Sequence, residues 1–266
     1  MRRKVRVDGP EIAVAVTGEG PAVLLLHGFP DRADLWRHQI EDLRSDFTVI
    51  APDLRGFGDS EKPRDVDAYR MRRSVQDMLG LLDALGFERA HVVGHDWGAG
   101  LAWSLTHAAP DRVERLVVLS VGHPGVPRTL AQREKSWYTT YFQFDEAEAL
   151  LRRDDWALLR QWVQTHPEPE RVIADLTRPG ALTAGLHWYR ANHHPRLELR
   201  ERTFPRVTTP VLGVWSSGDA YLLEEQMTGS EAFVDDWRYA RIEGAGHWMQ
   251  LDAPIEVTAL IRSHLC

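Results

Sequence analysis

The sequence predicts an α/β protein, with a mostly parallel central sheet flanked by helices and an inserted helical cap. Three observations predict it. Short apolar runs alternate with amphipathic helical stretches through the first part of the chain. The alternation stops after Val121, and helical patterns dominate from Gly122 to about Pro205. It then resumes and continues to the C-terminus. Alternating strands and helices build a doubly wound sheet with helices on both faces. The expected organisation is a first core segment over 1–121, a cap over 122–205 and a second core segment over 206–266.

Taken in order, Val5 to Val7 and Ile12 to Val16 read as short strands joined at the turn signal Asp8-Gly9-Pro10. Ala22 to Leu26 is apolar throughout, as a strand buried on both faces must be. Leu35 to Leu43 is a short amphipathic helix and Phe47 to Ala51 a strand. Arg70 to Leu85 places Met71, Val75, Met78, Leu81, Leu82 and Leu85 at helical spacing, with Gly86 as its stop. A strand from Ala90, a helix over Ala99 to His107 and a strand over Leu116 to Val121 complete the first segment. Helical stretches in the insertion cover Thr129 to Phe142, Glu146 to Arg152, Trp156 to Thr165 and Pro167 to Leu176. The arginines among them (Arg128, Arg133, Arg152, Arg153, Arg160) are expected on the wet outer face. The second segment reads as a strand over Pro210 to Val214, a short helix over Leu222 to Met227, a strand over Trp237 to Ile242 and a closing helix over Pro254 to His264.

Composition narrows the functional classes. The 266 residues are 43% hydrophobic and 27% charged, which suits one large core with an insertion. A net charge of -7 without a basic block argues against a nucleic-acid partner. No apolar run approaches the ~18 residues a membrane span needs. Met1-Arg2-Arg3-Lys4-Val5 is basic but has no apolar stretch after it, unlike a signal peptide. Cys266 is the only cysteine, which leaves no internal disulfide and no cysteine metal site. A cytoplasmic protein is expected.

The chemistry concentrates at Val92-Val93-Gly94-His95-Asp96-Trp97-Gly98. An apolar strand runs into a glycine-flanked turn and then a helix. This is the strand-turn-helix of a nucleophile elbow, Gly94-x-Asp96-x-Gly98, which exposes one side chain at the end of a sheet. The pentapeptide alone is weak, since chance supplies it in roughly one chain in fifteen at ordinary glycine content. Its central residue is what matters. A carboxylate is already ionised at neutral pH and can attack a saturated carbon bearing a leaving group. The resulting ester has its carbonyl on the enzyme, so water can cleave it. Asp at this position therefore points to epoxide opening or halide displacement.

Hydrolysis of that ester needs a base and a group to orient it. In elbow hydrolases the chain order is nucleophile, acid, histidine. His247 in Gly246-His247-Trp248 follows the last strand, and Asp219 in Gly218-Asp219 follows the strand before it. Both belong at strand C-termini, where open α/β sheets place their sites. His95 is expected to pack near the turn, and His193 and His194 to form a cap loop. The loop His27-Gly28-Phe29-Pro30 ends the buried strand. It can present the N–H of Phe29 beside that of Trp97, two donors that make an oxyanion hole.

Four segments together resemble the α/β-hydrolase fold family, with the soluble epoxide hydrolases as the nearest branch. They are His27-Gly28-Phe29-Pro30, Asp53-Leu54-Arg55-Gly56-Phe57-Gly58-Asp59-Ser60, Gly94-His95-Asp96-Trp97-Gly98 and Gly246-His247-Trp248. The resemblance implies two cap tyrosines acting as acids on the epoxide oxygen. It assigns them to Tyr138 in Tyr138-Thr139-Thr140-Tyr141-Phe142-Gln143, with Tyr141 the alternative, and to Tyr189 in Leu186-His187-Trp188-Tyr189-Arg190. A phenol stays protonated at pH 7 and can donate to a forming alkoxide, whereas a departing halide needs only N–H donors. Haloalkane dehalogenases share the Asp-Trp pair. They commonly carry an Asn where this chain has Phe29, though Trp97 could supply one halide donor and Trp137 or Trp188 another. Fluoroacetate dehalogenases carry arginines where this chain has Trp97 and Gly100. A non-catalytic ligand-binding member is the third alternative. The resemblance implies no metal and no organic cofactor. Phe29, Trp97, Trp137, Trp188 and Trp248 suggest an aromatic-lined pocket for a small apolar or aromatic epoxide.

Overall fold

The computed structural model describes residues 2–7, 9–193 and 203–266. Asp8 and His194 therefore lie outside the described residues. Eight strands form one sheet in the order β1-β2-β4-β3-β5-β6-β7-β8. They are β1 (Arg2–Arg6), β2 (Glu11–Thr17), β3 (Ala22–Leu26), β4 (Thr48–Pro52), β5 (Ala90–His95), β6 (Val113–Leu119), β7 (Val211–Ser216) and β8 (Trp237–Ile242). β2 pairs antiparallel with β1 and β4, and every other pairing is parallel. The predominantly apolar runs are the central strands: all residues of β3, β4, β5 and β7 are buried.

β3 and β5 are neighbours, and the connection after β3 runs to β4 on one side while the connection after β5 runs to β6 on the other. The C-terminal ends of β3 and β5 meet at this switch point, where a parallel sheet leaves a crevice. Leu26 pairs with Gly94 there, which brings the loop at His27 beside the elbow at Asp96.

Helices α1 (Arg37–Leu43), α2 (Met71–Leu85) and α3 (Trp97–Ala108) connect the first strands. Gly86 caps α2 in a left-handed conformation, as its position predicts. Between β6 and β7 come α4 (Leu130–Lys135), α5 (Trp137–Tyr141), α6 (Ala147–Trp162), α7 (Pro169–Thr177) and α8 (Ala181–Asn192), with no strand among the described residues. The helix Pro254–Leu265 closes the chain and packs on α1.

Several elements differ from the sequence expectation, among them β6, which runs Val113–Leu119 rather than from Leu116 to Val121. β1 starts at Arg2, earlier than the apolar signal at Val5. It is an edge strand with an exposed, charged face, so its pairing to β2 leaves no apolar signature. The stretch from Thr129 to Phe142 is two helices, broken at Ser136. Helix α8 has no clear sequence signature because it is buried on nearly every side and carries Gly185 in its interior, which blurs the helical pattern. The break expected after Arg152 is present as a kink, with non-helical backbone at Arg153–Trp156 inside α6. Arg128, Arg133, Arg152 and Arg153 are exposed, and the half-buried Arg160 pairs with Glu170. No helix among the described residues is long and apolar enough to cross a membrane.

Candidate active site

The elbow holds Asp96 at φ 53° and ψ -121°, between the last residue of β5 and the first of α3. Its glycines are required by contact distances. A Cβ on Gly98 would lie 2.0 Å from the Leu26 carbonyl oxygen. A Cβ on Gly28, across the crevice, would lie 2.2 Å from Asp96 Oδ1. The bare backbone at Gly28 thus lets the β3 loop close on the carboxylate. The N–H of Phe29 donates to Asp96 Oδ1 at 2.9 Å. The N–H of Trp97 hydrogen-bonds the same carboxyl group. Both expected oxyanion donors therefore converge on one side chain. His27 braces this loop from below: its Nε2 accepts the N–H of Leu54 at 2.9 Å, leaving Nδ1–H for the Gly28 carbonyl at 2.9 Å.

The loops after β7 and β8 are stitched together. Gly218 N–H donates to the Ala245 carbonyl (2.9 Å) and Ser216 Oγ to the Gly246 carbonyl (2.6 Å). Asp219 and His247 meet as a result, with Nδ1 2.9 Å from Asp219 Oδ2. Asp219 Oδ1 accepts the N–H groups of Tyr221 (2.8 Å) and Leu222 (3.0 Å). An Asp219 side chain with no exposure can stay ionised only with such partners. Nδ1–H toward Asp219 leaves the Nε2 lone pair of neutral His247 facing Asp96. That nitrogen is 3.9 Å from Asp96 Oδ2, beyond direct hydrogen-bond reach.

Charge and burial set the protonation tendencies. Burial pulls the His247 imidazole down, but the Asp219 and Asp96 carboxylates outweigh it and hold it above its ordinary value. Burial likewise opposes ionisation of Asp219, and His247 with two backbone N–H groups reverses that. For Asp96 burial wins and raises the carboxyl against the pull of His247 and the N–H groups of Trp97 and Phe29. His95 is buried too. It is pushed down to about 3, first by burial and then by the His247 charge, so it stays neutral. Its Nε2 lies 2.9 Å from the His247 carbonyl oxygen, a backbone brace in keeping with its expected packing role.

Tyr138 and Tyr189 enter the same crevice, 6.1 Å apart between ring centroids. Gln132 anchors the α4–α5 break by donating to Ser136 Oγ (2.8 Å) and the Tyr221 carbonyl (2.9 Å). Helix α8 is pinned by Trp188 Nε1 on the Arg55 carbonyl (3.0 Å) and by Asn192 Nδ2 on the Tyr69 carbonyl (2.9 Å). A Cβ on Gly185 would lie 2.6 Å from the Phe29 ring, so the glycine that blurs α8 in the sequence lets it seat over the site. Burial, and then the Asp96 charge, raise both phenols well above their ordinary value. Among the described residues neither hydroxyl donates to a protein acceptor, whereas the third phenol of the cavity, Tyr221, donates to the Trp162 carbonyl. Tyr138 and Tyr189 thus keep a proton to give.

A family model described as the alpha/beta hydrolase fold matches residues 21–254. Epoxide hydrolase A of Mycobacterium tuberculosis is 34% identical over 99% of this chain and 96% of its own length. The chain belongs to the α/β-hydrolase fold family, in its epoxide hydrolase branch. Solved structures agree. An epoxide hydrolase from hot-environment metagenomes superposes with a TM-score of 0.91 at 30% identity, covering 100% of this chain and 98% of that one. The Bacillus megaterium epoxide hydrolase, crystallised with an inhibitor, gives 0.90 at 28% identity over 99% of both chains.

The crevice of this α/β hydrolase is narrow and is lined by Phe29, Asp96, Tyr138, Trp162, Tyr189, Tyr221, His247 and Trp248. Phe29 and Trp248 are where the aromatic pattern expects them. Trp137 and Trp188 are not in the lining, a correction to the sequence reading. Trp137 is 51% exposed and packs beside Tyr141, while Trp188 is fully buried against Phe57 and Trp97. Neighbours on a helix are turned by about 100°, so pointing Tyr138 and Tyr189 inward turns the preceding tryptophans away. Neither indole therefore offers a halide donor. The Trp97 side chain also stays out of the lining and packs on Tyr189 and His193. Tyr141 is half-buried against Trp137, Phe142 and Phe144, outside the cavity. Trp162 and Tyr221 are lining residues that the sequence reading missed. Tyr221 stands two places after Asp219 in a loop already assigned to the site, a usable signal. Trp162 carries no motif.

Proposed function

We propose that the protein opens an epoxide to a vicinal diol through an ester on Asp96, with residues 122–205 acting as a cap over core residues 1–121 and 206–266. The observation that carries this is a pair of buried phenols facing an elbow carboxylate, neither donating to a protein acceptor among the described residues, with Tyr189 accepting from the Trp97 indole. Tyr138 and Tyr189 hold the epoxide oxygen. An Asp96 oxygen attacks a ring carbon, the carbon–oxygen bond breaks, and one phenol protonates the alkoxide. His247, oriented by Asp219, then takes a proton from water, and the hydroxide adds to the Asp96 carbonyl carbon. The N–H groups of Phe29 and Trp97 hold the tetrahedral oxyanion. Collapse expels the diol oxygen, which takes the proton from His247. The carboxylic acid left on Asp96 returns a proton to the phenolate. Side chains and water supply every step. The aromatic walls suit a small apolar or aromatic epoxide, and cytoplasmic work fits a chain whose one cysteine is Cys266.

A single turnover in heavy-oxygen water tests the reading. The first diol takes its oxygen from the enzyme and carries no label, and Asp96 becomes labelled as the ester is hydrolysed. Label in that first diol would remove the covalent route.

The pH profile follows from the same groups. His247 must be neutral to accept a proton, so activity falls as pH drops through its pKa. That pKa is raised above the ordinary 6.5, and the acid limb lies above it too. Tyr138 and Tyr189 must be protonated, and both are raised above 10, so the alkaline limb lies beyond that value. Asp219→Asn removes the main charge raising His247. The expected result is a slower enzyme whose acid limb has moved to lower pH, read from kcat/KM against pH.

A further inference from the structure

A largely buried charged cluster outside the reacting groups joins the helices after β6 to the loop after β3. Asp31 closes the turn that begins at Gly28, its N–H donating to the Gly28 carbonyl at 3.0 Å. Its carboxylate is 1% exposed. Both side-chain donors to it come from the insertion. Arg171, on α7, places Nη2 2.7 Å from Asp31 Oδ1. His166, just before α7, places Nε2 3.3 Å from each Asp31 oxygen. His166 Nδ1 accepts the N–H of Glu168 at 2.8 Å, which makes Nε2–H the donor. Arg171 is itself held from the other side, with Nε 2.8 Å from Glu168 Oε2. Burial opposes ionisation of Asp31, and His166 and Arg171 outweigh it and hold its carboxyl well below the usual range.

This anion sits one turn from the reacting carboxylate. Phe29 lies inside the Gly28–Asp31 turn, and its N–H is the donor 2.9 Å from Asp96 Oδ1. A buried carboxylate goes where its partners are, because leaving it unpaired is costly. The His166 ring also packs 4.4 Å from the Trp248 ring, next to His247. The cluster therefore touches the supports of both the oxyanion donor and the base.

We infer that Arg171, assisted by His166, is a positioning residue for ester hydrolysis: from the cap it fixes Asp31, and through the Gly28–Asp31 turn it fixes the Phe29 N–H at Asp96. The inference rests on the reading of Asp96 as an ester-forming nucleophile. Nucleophilic attack uses the other carboxylate oxygen and the phenols, so it does not need that N–H held in place. Hydrolysis does, because negative charge develops on the oxygen that the N–H faces. The cap then serves both halves of the cycle, giving acids to the first and alignment to the second.

The test separates the two half-reactions. Arg171→Gln keeps a polar group at a side chain that is 23% exposed. Single turnovers of styrene oxide are quenched and read by intact-protein mass, which gives ester formation and ester decay. Decay is expected to slow about 10-fold, a fraction of the 10²–10³ that loss of an oxyanion donor costs. Formation stays unchanged, and the ester accumulates. Arg171→Lys restores much of the decay rate, since it returns a cation to Asp31. Asp31→Asn repeats the Arg171→Gln pattern and serves if that variant does not fold. Unchanged decay with a lowered melting temperature would make the cluster a bolt only and overturn the inference, as would equal slowing of both steps. His247→Gln, run alongside, accumulates ester whether or not Arg171 matters. Ester in that variant with normal decay in Arg171→Gln sinks the inference alone, and no ester in either sinks the Asp96 reading as well.

Discussion

Asp96→Asn is expected to abolish repeated turnover of styrene oxide. The amide nearly matches the carboxylate in size, so the elbow, the close approach at Gly28 and the N–H groups of Phe29 and Trp97 can all remain. What is lost is the charge and the lone pair that attacks carbon. Removing a nucleophile that works as a unit with its base costs on the order of 10⁶-fold in kcat in other covalent hydrolases. A loss of that order is expected here, measured as diol formed, with a melting temperature near that of the parent. Intact mass must exclude deamidation, because hydrolysis of the introduced amide would rebuild the parent enzyme. Diol production by undeamidated protein would remove the ester from the mechanism.

The second large effect belongs to the phenols. A positioned general acid contributes about 10²–10⁴-fold. Tyr138→Phe and Tyr189→Phe should each leave partial activity, because the other hydroxyl still reaches the epoxide oxygen. The double variant should lose ring opening almost completely, and loss of Asp96 ester formation in single turnover locates the defect in the first half-reaction. Both rings are buried among aromatic neighbours, so deleting two hydroxyls leaves the packing in place. Tyr221→Phe is the natural comparison. Its hydroxyl is committed to the Trp162 carbonyl, so that variant should keep the ring-opening step. Full activity in the Tyr138/Tyr189 double variant would end their assignment as acids.

The parallel sheet was legible because strands covered on both faces are apolar runs, as at Ala22–Leu26. The elbow was legible because close backbone approach demands glycine at fixed places around one reactive side chain. Asp219 and His247 followed from chain order at the ends of successive strands. Side-chain direction within the insertion was not legible. Trp137 and Tyr138 adjoin in sequence yet face water and cavity respectively, and nothing in a pentapeptide says which way a short helix is rotated. That rotation is set by long-range anchors such as Gln132 on the Tyr221 carbonyl and Trp188 on the Arg55 carbonyl. Asp31 carries no sequence signal for the same reason, since its partners Arg171 and His166 come from a distant part of the chain.

The backbone at Asp96, with φ 53° and ψ -121°, lies where side-chain-bearing residues are scarce and glycine is at ease. Holding a residue in such a region costs on the order of 1–3 kcal/mol, a noticeable part of the ~5–15 kcal/mol that keeps a domain folded. Selection for thermostability alone would favour glycine at this position and would silence the protein in doing so. Heat resistance sought in this chain has to come from sites remote from that corner.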